Sequence, residues 1–401
     1  MKRKTLEDIQ VAGKRVLVRV DFNVPLNDQQ QITDDTRIAA ALPTLKYLLE
    51  QGAALVLMSH LGRPEGKIAP SMSLKPVAER LAQFLDRPVQ LAPDCVGPEV
   101  EHLALQLRPG QVLILENLRF HPEEEANEEQ FSRQLAALGE VYVNDAFGTA
   151  HRAHASTEGV VHHLAVAASG RLMEREVQYL KDALQQPRRP LVAILGGVKV
   201  SGKIELIENL LNKVDTLLIG GGMAFTFFKG TGLEIGASIL EAKRVETARQ
   251  TLVQAEARGV ELLLPVDCVV ADRFAADAQT QVVAREKIPA DWQGMDIGPQ
   301  TRQLFADRVS AAGTVIWNGP LGVCEMAPFA VGTREVAQAL VRATGERGTL
   351  SIIGGGDTAG AIAQLGLSGQ MTHVSTGGGA SLECLSGLVL PGVAVLEREG
   401  G

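Results

Sequence analysis

An α/β protein of two domains is the fold that the sequence predicts, and three observations carry that reading. Short β-branched or leucine-rich runs alternate with helical patterns almost from end to end, the mark of βαβ units in largely parallel sheets flanked by helices. The chain has 401 residues, beyond the usual single-domain range. The cluster Gln185-Gln186-Pro187-Arg188-Arg189-Pro190 breaks one helical pattern just before a new apolar strand, which suits a domain boundary.

The expected strands are Arg15–Val20, Ala53–Met58, Val112–Leu115, Val141–Val143, Leu191–Leu195, Thr216–Ile219, Leu262–Leu264, Thr314–Ile316, Thr349–Ile353 and His373–Ser375. Helical periodicity falls on segments such as Thr36–Glu50, Leu74–Leu85, Arg171–Leu184, Lys203–Leu211, Thr333–Thr344 and Asp357–Leu365. Arg171–Leu184 would then be the connector between domains. The acidic stretch Glu123–Glu129 reads as a solvated loop and helix start.

Composition excludes several classes. With 45% hydrophobic and 21% charged residues, the chain is ordinary globular material. A net charge of −8 and only 4% aromatic residues argue against nucleic acid and anionic membranes as partners. The basic start Met1-Lys2-Arg3-Lys4 is followed by Leu6-Glu7-Asp8, not by the apolar stretch of a signal peptide, and no run approaches a membrane span. The four cysteines (Cys95, Cys268, Cys324, Cys384) form no C-x-x-C pair, so a reducing cytoplasm is the expected compartment.

Ligands of open parallel sheets bind at the carboxyl ends of the strands. In the first half those ends carry Asp21-Phe22-Asn23, Ser59-His60-Leu61-Gly62-Arg63, Asn117-Leu118-Arg119 and Asn144-Asp145. In the second half they carry Gly196-Gly197, Gly220-Gly221-Gly222, Asn318-Gly319-Pro320, Gly354-Gly355-Gly356-Asp357 and Thr376-Gly377-Gly378-Gly379. The first set, rich in Arg, His, Asn and Asp, suits a small hydroxylated anion. The second, rich in glycine, suits backbone contact with phosphates.

Gly354-Gly355-Gly356-Asp357-Thr358 follows a strand and opens a helix, where close backbone approach and unpaired N–H groups favour phosphate. Asp357 would repel a bare phosphate, so a bridging Mg²⁺ makes better sense of it; a plain glycine turn with Asp357 as cap is the bland alternative. The run also fits G-x-G-x-x-A, which leaves a nicotinamide dehydrogenase open, although glycines stand near Gly377 where an acidic residue is wanted. Gly197-Val198-Lys199-Val200-Ser201-Gly202-Lys203-Ile204 narrowly misses a P-loop, because Ile204 replaces the hydroxyl that would ligate metal. Lys199 and Lys203 survive as cations four residues apart, or as solvated lysines.

Arg37, Arg63, Arg119 and Arg152, with His60 and His151, could converge on a ligand bearing phosphate and carboxylate through bidentate contacts. Seven of the eight histidines precede residue 164, but no matching cysteines or carboxylates stand at metal-ligand spacing. No H-R-D loop, G-x-S-x-G elbow or H-E-x-x-H motif occurs. A phosphoryl-transfer enzyme without a general base needs a nucleophile that requires no deprotonation, such as a carboxylate or a phosphate oxygen.

The chain closely resembles the phosphoglycerate kinase family over essentially its full length. The segments that carry the resemblance are Arg19–Pro25, Ser59–Pro64, Leu115–Phe120, Asn144–His154, Gly196–Val200, Trp317–Val323 and Gly354–Thr358. The resemblance implies two Rossmann-like domains joined by a hinge helix: residues 1–170 for the acid, 171–187 as hinge and linker, and 188–388 for the nucleotide, with 389–401 returning to the first domain. It implies direct in-line phosphoryl transfer between 1,3-bisphosphoglycerate and ADP, giving 3-phosphoglycerate and ATP, after domain closure in a monomer. Asp21, Asn23, Arg37, His60, Leu61, Gly62, Arg63, Arg119 and Arg152 then match acid-binding positions. Gly197, Lys199, Lys203, Gly221, Gly222, Gly294, Asn318, Glu325 and Gly354–Thr358 match nucleotide-binding positions, with Asp357 near Mg²⁺. Arg37, Lys199 and the amides of Gly377, Gly378 and Gly379 match positions that stabilise the transferring group. Two departures touch the nucleotide side: Cys324 stands where an aromatic residue is usual, and Gly202 where an aspartate is usual. A sugar-phosphate sensor without turnover is the non-enzymatic alternative.

Overall fold

A computed structural model describes residues 3–397. The chain forms two compact units, one ending at Val177 and resuming at Val389, the other running from Gln178 to Leu388. In the first unit, β1 (Arg15–Arg19), β2 (Ala54–Met58), β3 (Val89–Leu91), β4 (Val112–Ile114), β5 (Val141–Asn144) and β6 (Ala167–Ser169) form one sheet of order β3-β4-β2-β1-β5-β6. Every pairing in it is parallel. Both faces are buried, and the two-residue period sorts the strands between them. Val16, Val18, Leu55 and Leu57 enter one core cluster, whereas Leu17, Val56 and Met58 enter the other. The helix Thr36–Glu50 seals the first face with Ile38, Ala41, Leu45 and Leu48. On the second face, Val395 and Leu396 complete the core. The Gly392 N–H donates to the Ala150 carbonyl at 2.9 Å, and Asn144 Nδ2 donates to the Gly392 carbonyl at 3.3 Å.

In the second unit, β7 (Leu191–Leu195), β8 (Thr216–Ile219), β9 (Glu261–Leu263), β13 (Thr314–Asn318), β14 (Leu350–Gly354) and β15 (His373–Val374) form a second parallel sheet of order β15-β14-β13-β7-β8-β9. Its central strands β7 and β13 are buried at all five positions, as parallel strands covered on both faces require. A separate antiparallel sheet, β11-β10-β12, is built from β10 (Asp267–Ala271), β11 (Thr280–Ala284) and β12 (Gln293–Ile297).

The two parallel sheets match the expected fold class. The antiparallel sheet was not expected, and its outer strand β11 lies mostly in solvent without an apolar run to betray it. Strands β3 (Val-Gln-Leu) and β6 (Ala-Ala-Ser) are not among the expected strands, because neither carries a continuous β-branched or leucine-rich run. The acidic stretch requires a correction. Glu124 sits in the short helix Pro122–Glu125 and is fully buried, because its carboxylate has specific partners inside the unit. The segment holding Lys199 and Lys203 is an irregular turn, and its helix begins only at Ile204, so the two lysines do not share a helix face.

The helix Arg171–Gln185 contains the division between the units, which falls at Val177 and Gln178. Its first turn is tied down by Asp145, just past β5. Asp145 Oδ1 accepts from the N–H groups of Leu172 at 2.9 Å and Met173 at 3.2 Å. Helix-start N–H groups have no partner within the helix, so this carboxylate answers a specific need. Asp145→Ala is expected to lower unfolding free energy by about 1–2 kcal/mol, the scale of a lost helix cap. Urea denaturation of the first unit's signal measures it.

Candidate functional site

In the first unit, the ends of β1, β2 and β4 bring Asp21, Asn23, Arg37, His60 and Arg119 to one edge. Arg37, in the first turn of its helix, donates from Nη1 to Asp21 Oδ2 at 2.7 Å. The Gly62 N–H donates to Asn23 Oδ1 at 2.8 Å, and Arg119 Nη1 donates to the Gly62 carbonyl at 3.0 Å. Arg119 also lies 3.3 Å from Glu125. Arg63 and Arg152 are exposed. Arg152 acts electrostatically on Arg119 and donates from Nε to His151 Nε2 at 3.2 Å. Leu61 is placed differently from its neighbours. Its side chain is in the core, and its N–H and C=O are both engaged by Asn117, at 3.1 and 2.7 Å. That pair of hydrogen bonds makes Asn117 the organiser of the loop after β2.

Beneath these groups lies Arg19, the last residue of β1 and only 1% exposed. Its Nε donates to Ser156 Oγ at 2.8 Å, and its Nη2 lies 3.2 Å from His60 Nδ1. Guanidinium is a donor only, so His60 Nδ1 must accept, and the imidazole proton resides on Nε2, available to an anion. Burial holds the His60 pKa well below the usual histidine range, and the charges of Arg19, Arg119 and Arg37 push it the same way. His60 is therefore a neutral donor at pH 7. Burial, then Arg19 and Arg119, also lowers His154, to about 3.

In the second unit, the strand ends surround a cavity of about 760 Å³. Of the expected nucleotide residues, all but Gly354 line it, and Gly378 and Gly379 line it as well. Apolar groups such as Phe225, Ile239, Phe274, Leu321, Val323 and Met326 form the rest of the wall. Gly294 on β12 lies flat against the Phe225 ring, and a Cβ there would enter the ring itself, so glycine is required.

The phosphate-like end is formed by β14 and the helix Gly356–Gln364. Gly355 caps that helix at φ +86°, and a Cβ at this position would come 2.9 Å from Asn318 Nδ2. The N–H groups of Gly356, Asp357 and Thr358 have no partner among the described residues, so they remain open to an anion. Thr358 Oγ1 accepts from the Gly319 N–H at 2.6 Å and joins this loop to the one after β13. The Gly377 amide is already used, donating to Ser375 Oγ at 3.1 Å, whereas those of Gly378 and Gly379 have no partner among the described residues.

Lys203 Nζ donates to the carbonyls of Gly196 at 2.7 Å and Asn318 at 2.8 Å, leaving its third N–H for a ligand. Lys199 is exposed on the cavity wall. Gly202 has open space where a Cβ would stand, and Cys324 points its thiol to Thr333 Oγ1 at 3.2 Å. The supporting roles of Arg19 and Asn117, and the apolar wall, carry no signal in the sequence pattern. Arg19 and Asn117 sit inside the quoted motifs, but only folding reveals that one supports His60 and the other the loop after β2.

Burial lowers the Lys203 pKa from 10.5 to about 8, and Asp357 opposes that shift. An anionic ligand favours the ammonium, so it must raise this pKa on binding. Well below about 8 the lysine is already protonated, so proton uptake grows as pH rises through that value. Calorimetry of ATP binding at pH 8.5 in two buffers should report net proton uptake, lost in Lys203→Met. Equal enthalpies in both buffers would contradict the assignment.

Known proteins resemble this chain over nearly its whole length. The family profile described as Phosphoglycerate kinase matches residues 6–388. The chain is 57% identical over 398 residues to the phosphoglycerate kinase of Chloroherpeton thalassium, covering 99% of this chain and 100% of that one. It is 58% identical to the one of Chloroflexus aurantiacus, with 99% of each chain covered. Among solved structures, phosphoglycerate kinase from Coxiella burnetii superposes with a TM-score of 0.90 at 41% identity, over 100% of both chains. The Pyrococcus horikoshii enzyme gives 0.81 at 31%, over 98% of both. With a family profile and relatives that match nearly the whole chain, this protein belongs to the phosphoglycerate kinase family.

Proposed function

We propose that the chain transfers a phosphoryl group reversibly between 1,3-bisphosphoglycerate and ADP, binding the acid at residues 21–152 and the nucleotide at residues 197–379. The observation that carries this reading is the division of labour between strand ends. One set offers buried and half-buried guanidinium groups, the other a glycine-lined cavity with open helix N–H groups and an apolar wall. The first suits a small ligand with carboxylate and phosphate, the second an adenine nucleotide.

In this reading Arg119 and Arg152 hold the acid's charges, His60 donates from Nε2, and Asp21 orients Arg37. Glu325, exposed on the cavity wall, accepts from ribose hydroxyls. Lys203, Lys199 and the amides of Gly378 and Gly379 hold phosphate oxygens. Spreading charge over donors already in place is the main task in phosphoryl transfer. The acceptor, a carboxylate or an ADP oxygen, carries no proton to remove, and no general base is needed. Direct transfer requires reacting atoms to approach within about 3–3.5 Å with water excluded, so the two ligand sets must be brought together by closure about the Arg171–Gln185 helix.

Asp357 fits a Mg²⁺ role: its exposed carboxylate faces the cavity, accepts no hydrogen bond from the described residues, and stands beside open phosphate-type donors. A single carboxylate with phosphate oxygens and water is the usual magnesium arrangement, and the ion would neutralise the nucleotide's phosphates. The compartment proposed is the cytoplasm, which suits four free cysteines. Among the described residues no helix is long and apolar enough to cross a membrane. Both ligand sets lie on one chain, so a monomer suffices.

A coupled assay with 3-phosphoglycerate, ATP and Mg²⁺ tests the reading; turnover is expected, and its absence would favour a ligand sensor. In that assay Arg37→Ala should lower kcat by about 10²-fold, the scale of one lost preorganised donor. Asp357→Ala should weaken binding of Mg-ATP far more than binding of metal-free ATP. Calorimetry with and without Mg²⁺ makes the comparison, and equal losses would refute a metal role.

A further inference from the structure

Two buried groups behind the acid cleft are not explained by ligand contact. The Arg19 guanidinium is almost wholly removed from water, yet no carboxylate lies within ion-pair distance of it among the described residues. A buried charge without compensation is costly, so a negative group coupled to it matters. Glu124 is fully buried and feels the Arg19 charge, and Ser156 stands between the two. Ser156 Oγ accepts from Arg19 Nε at 2.8 Å and donates to Glu124 Oε1 at 2.6 Å. The Ser156 N–H donates to Glu124 Oε2 at 2.9 Å, and the Ala155 N–H donates to the Glu124 carbonyl at 2.9 Å. Glu124 therefore holds the strand-free segment that follows Arg152 and His154, while Ser156 passes its negative charge to Arg19. Tyr142 Oη fixes the same segment by donating to the Ser156 carbonyl at 2.8 Å.

We propose that Glu124 and Ser156 are positioning residues for acid binding. Together they lock the Arg19 guanidinium, which in turn holds His60 with Nε2–H turned to the ligand, and they fix the segment bearing Arg152. Neither touches the ligand. This inference rests on the reading that the cleft binds 3-phosphoglycerate.

Two effects of opposite sign separate positioning from bulk charge. Loss of the Glu124 charge makes the cleft more positive and would by itself tighten anion binding. Loss of the relay frees Arg19 and His60 and weakens it. Ser156→Ala removes the relay and leaves every charge in place; Glu124→Gln removes the charge and keeps the volume, and its single carbonyl can accept from the Ser156 N–H or from the Ser156 hydroxyl but not from both.

Both variants should raise KM and calorimetric Kd for 3-phosphoglycerate about tenfold, a single charge-assisted hydrogen bond's worth. KM for Mg-ATP should stay within about twofold, a split that loss of folded protein cannot produce. In an Arg19→Lys background, Ser156→Ala should add less than about twofold, because residues acting through one another are not additive. Unchanged 3-phosphoglycerate affinity in Ser156→Ala, or tighter binding in Glu124→Gln, overturns the inference while leaving the function intact. Wild-type protein that fails to bind 3-phosphoglycerate overturns both, and the wild-type titration tells the two failures apart.

Discussion

Parallel strands place their carboxyl ends along one edge of a sheet, and both candidate ligand sets follow from that constraint. Arg37, His60 and Arg119 are far apart in the chain, but each lies at or just beyond the end of β1, β2 or β4, or on the helix that follows. The same holds for Gly197, Gly221, Asn318 and Gly355 around β7, β8, β13 and β14. Strand direction, set by buried apolar runs that crossover helices must cover, decides where polar groups can gather without interrupting the core.

The two units solve the problem of binding anions differently. The first invests in side-chain charge and must then support it: Arg19 is buried, His60 is held neutral, and Glu124 and Ser156 compensate from below. The second relies on main-chain N–H groups, which carry no net charge and need only room. Glycine at Gly355 provides the left-handed turn, and glycine at Gly294 keeps the Phe225 face clear. Lys203 is the exception, a cation caged by two carbonyls and pushed down to about 8 by burial.

The near P-loop shows why spacing misleads when read without geometry. Lys203 occupies the position that pattern reserves for a phosphate-binding lysine, and it does line the cavity. Its ammonium, however, reaches Gly196 and Asn318, across from β7 to β13, in place of closing a loop on its own backbone. Leu61 teaches the same lesson from the other side. A residue inside an ion-binding motif can serve only to anchor it, here through Asn117.

The sequence by itself determined the fold class, most strand positions and the residue types at the strand ends, because burial period and turn chemistry are local properties. It also determined the family, since the motifs are long and ordered. Only the tertiary structure decided which charges are buried, which amides are already engaged, and which acidic residue is a core group. Glu124 and Glu123 are adjacent and chemically alike, yet Glu124 meets Ser156 from 32 residues away and is fully buried. Partnerships of that kind depend on where two distant segments come to rest, and neither segment alone carries a sign of the other.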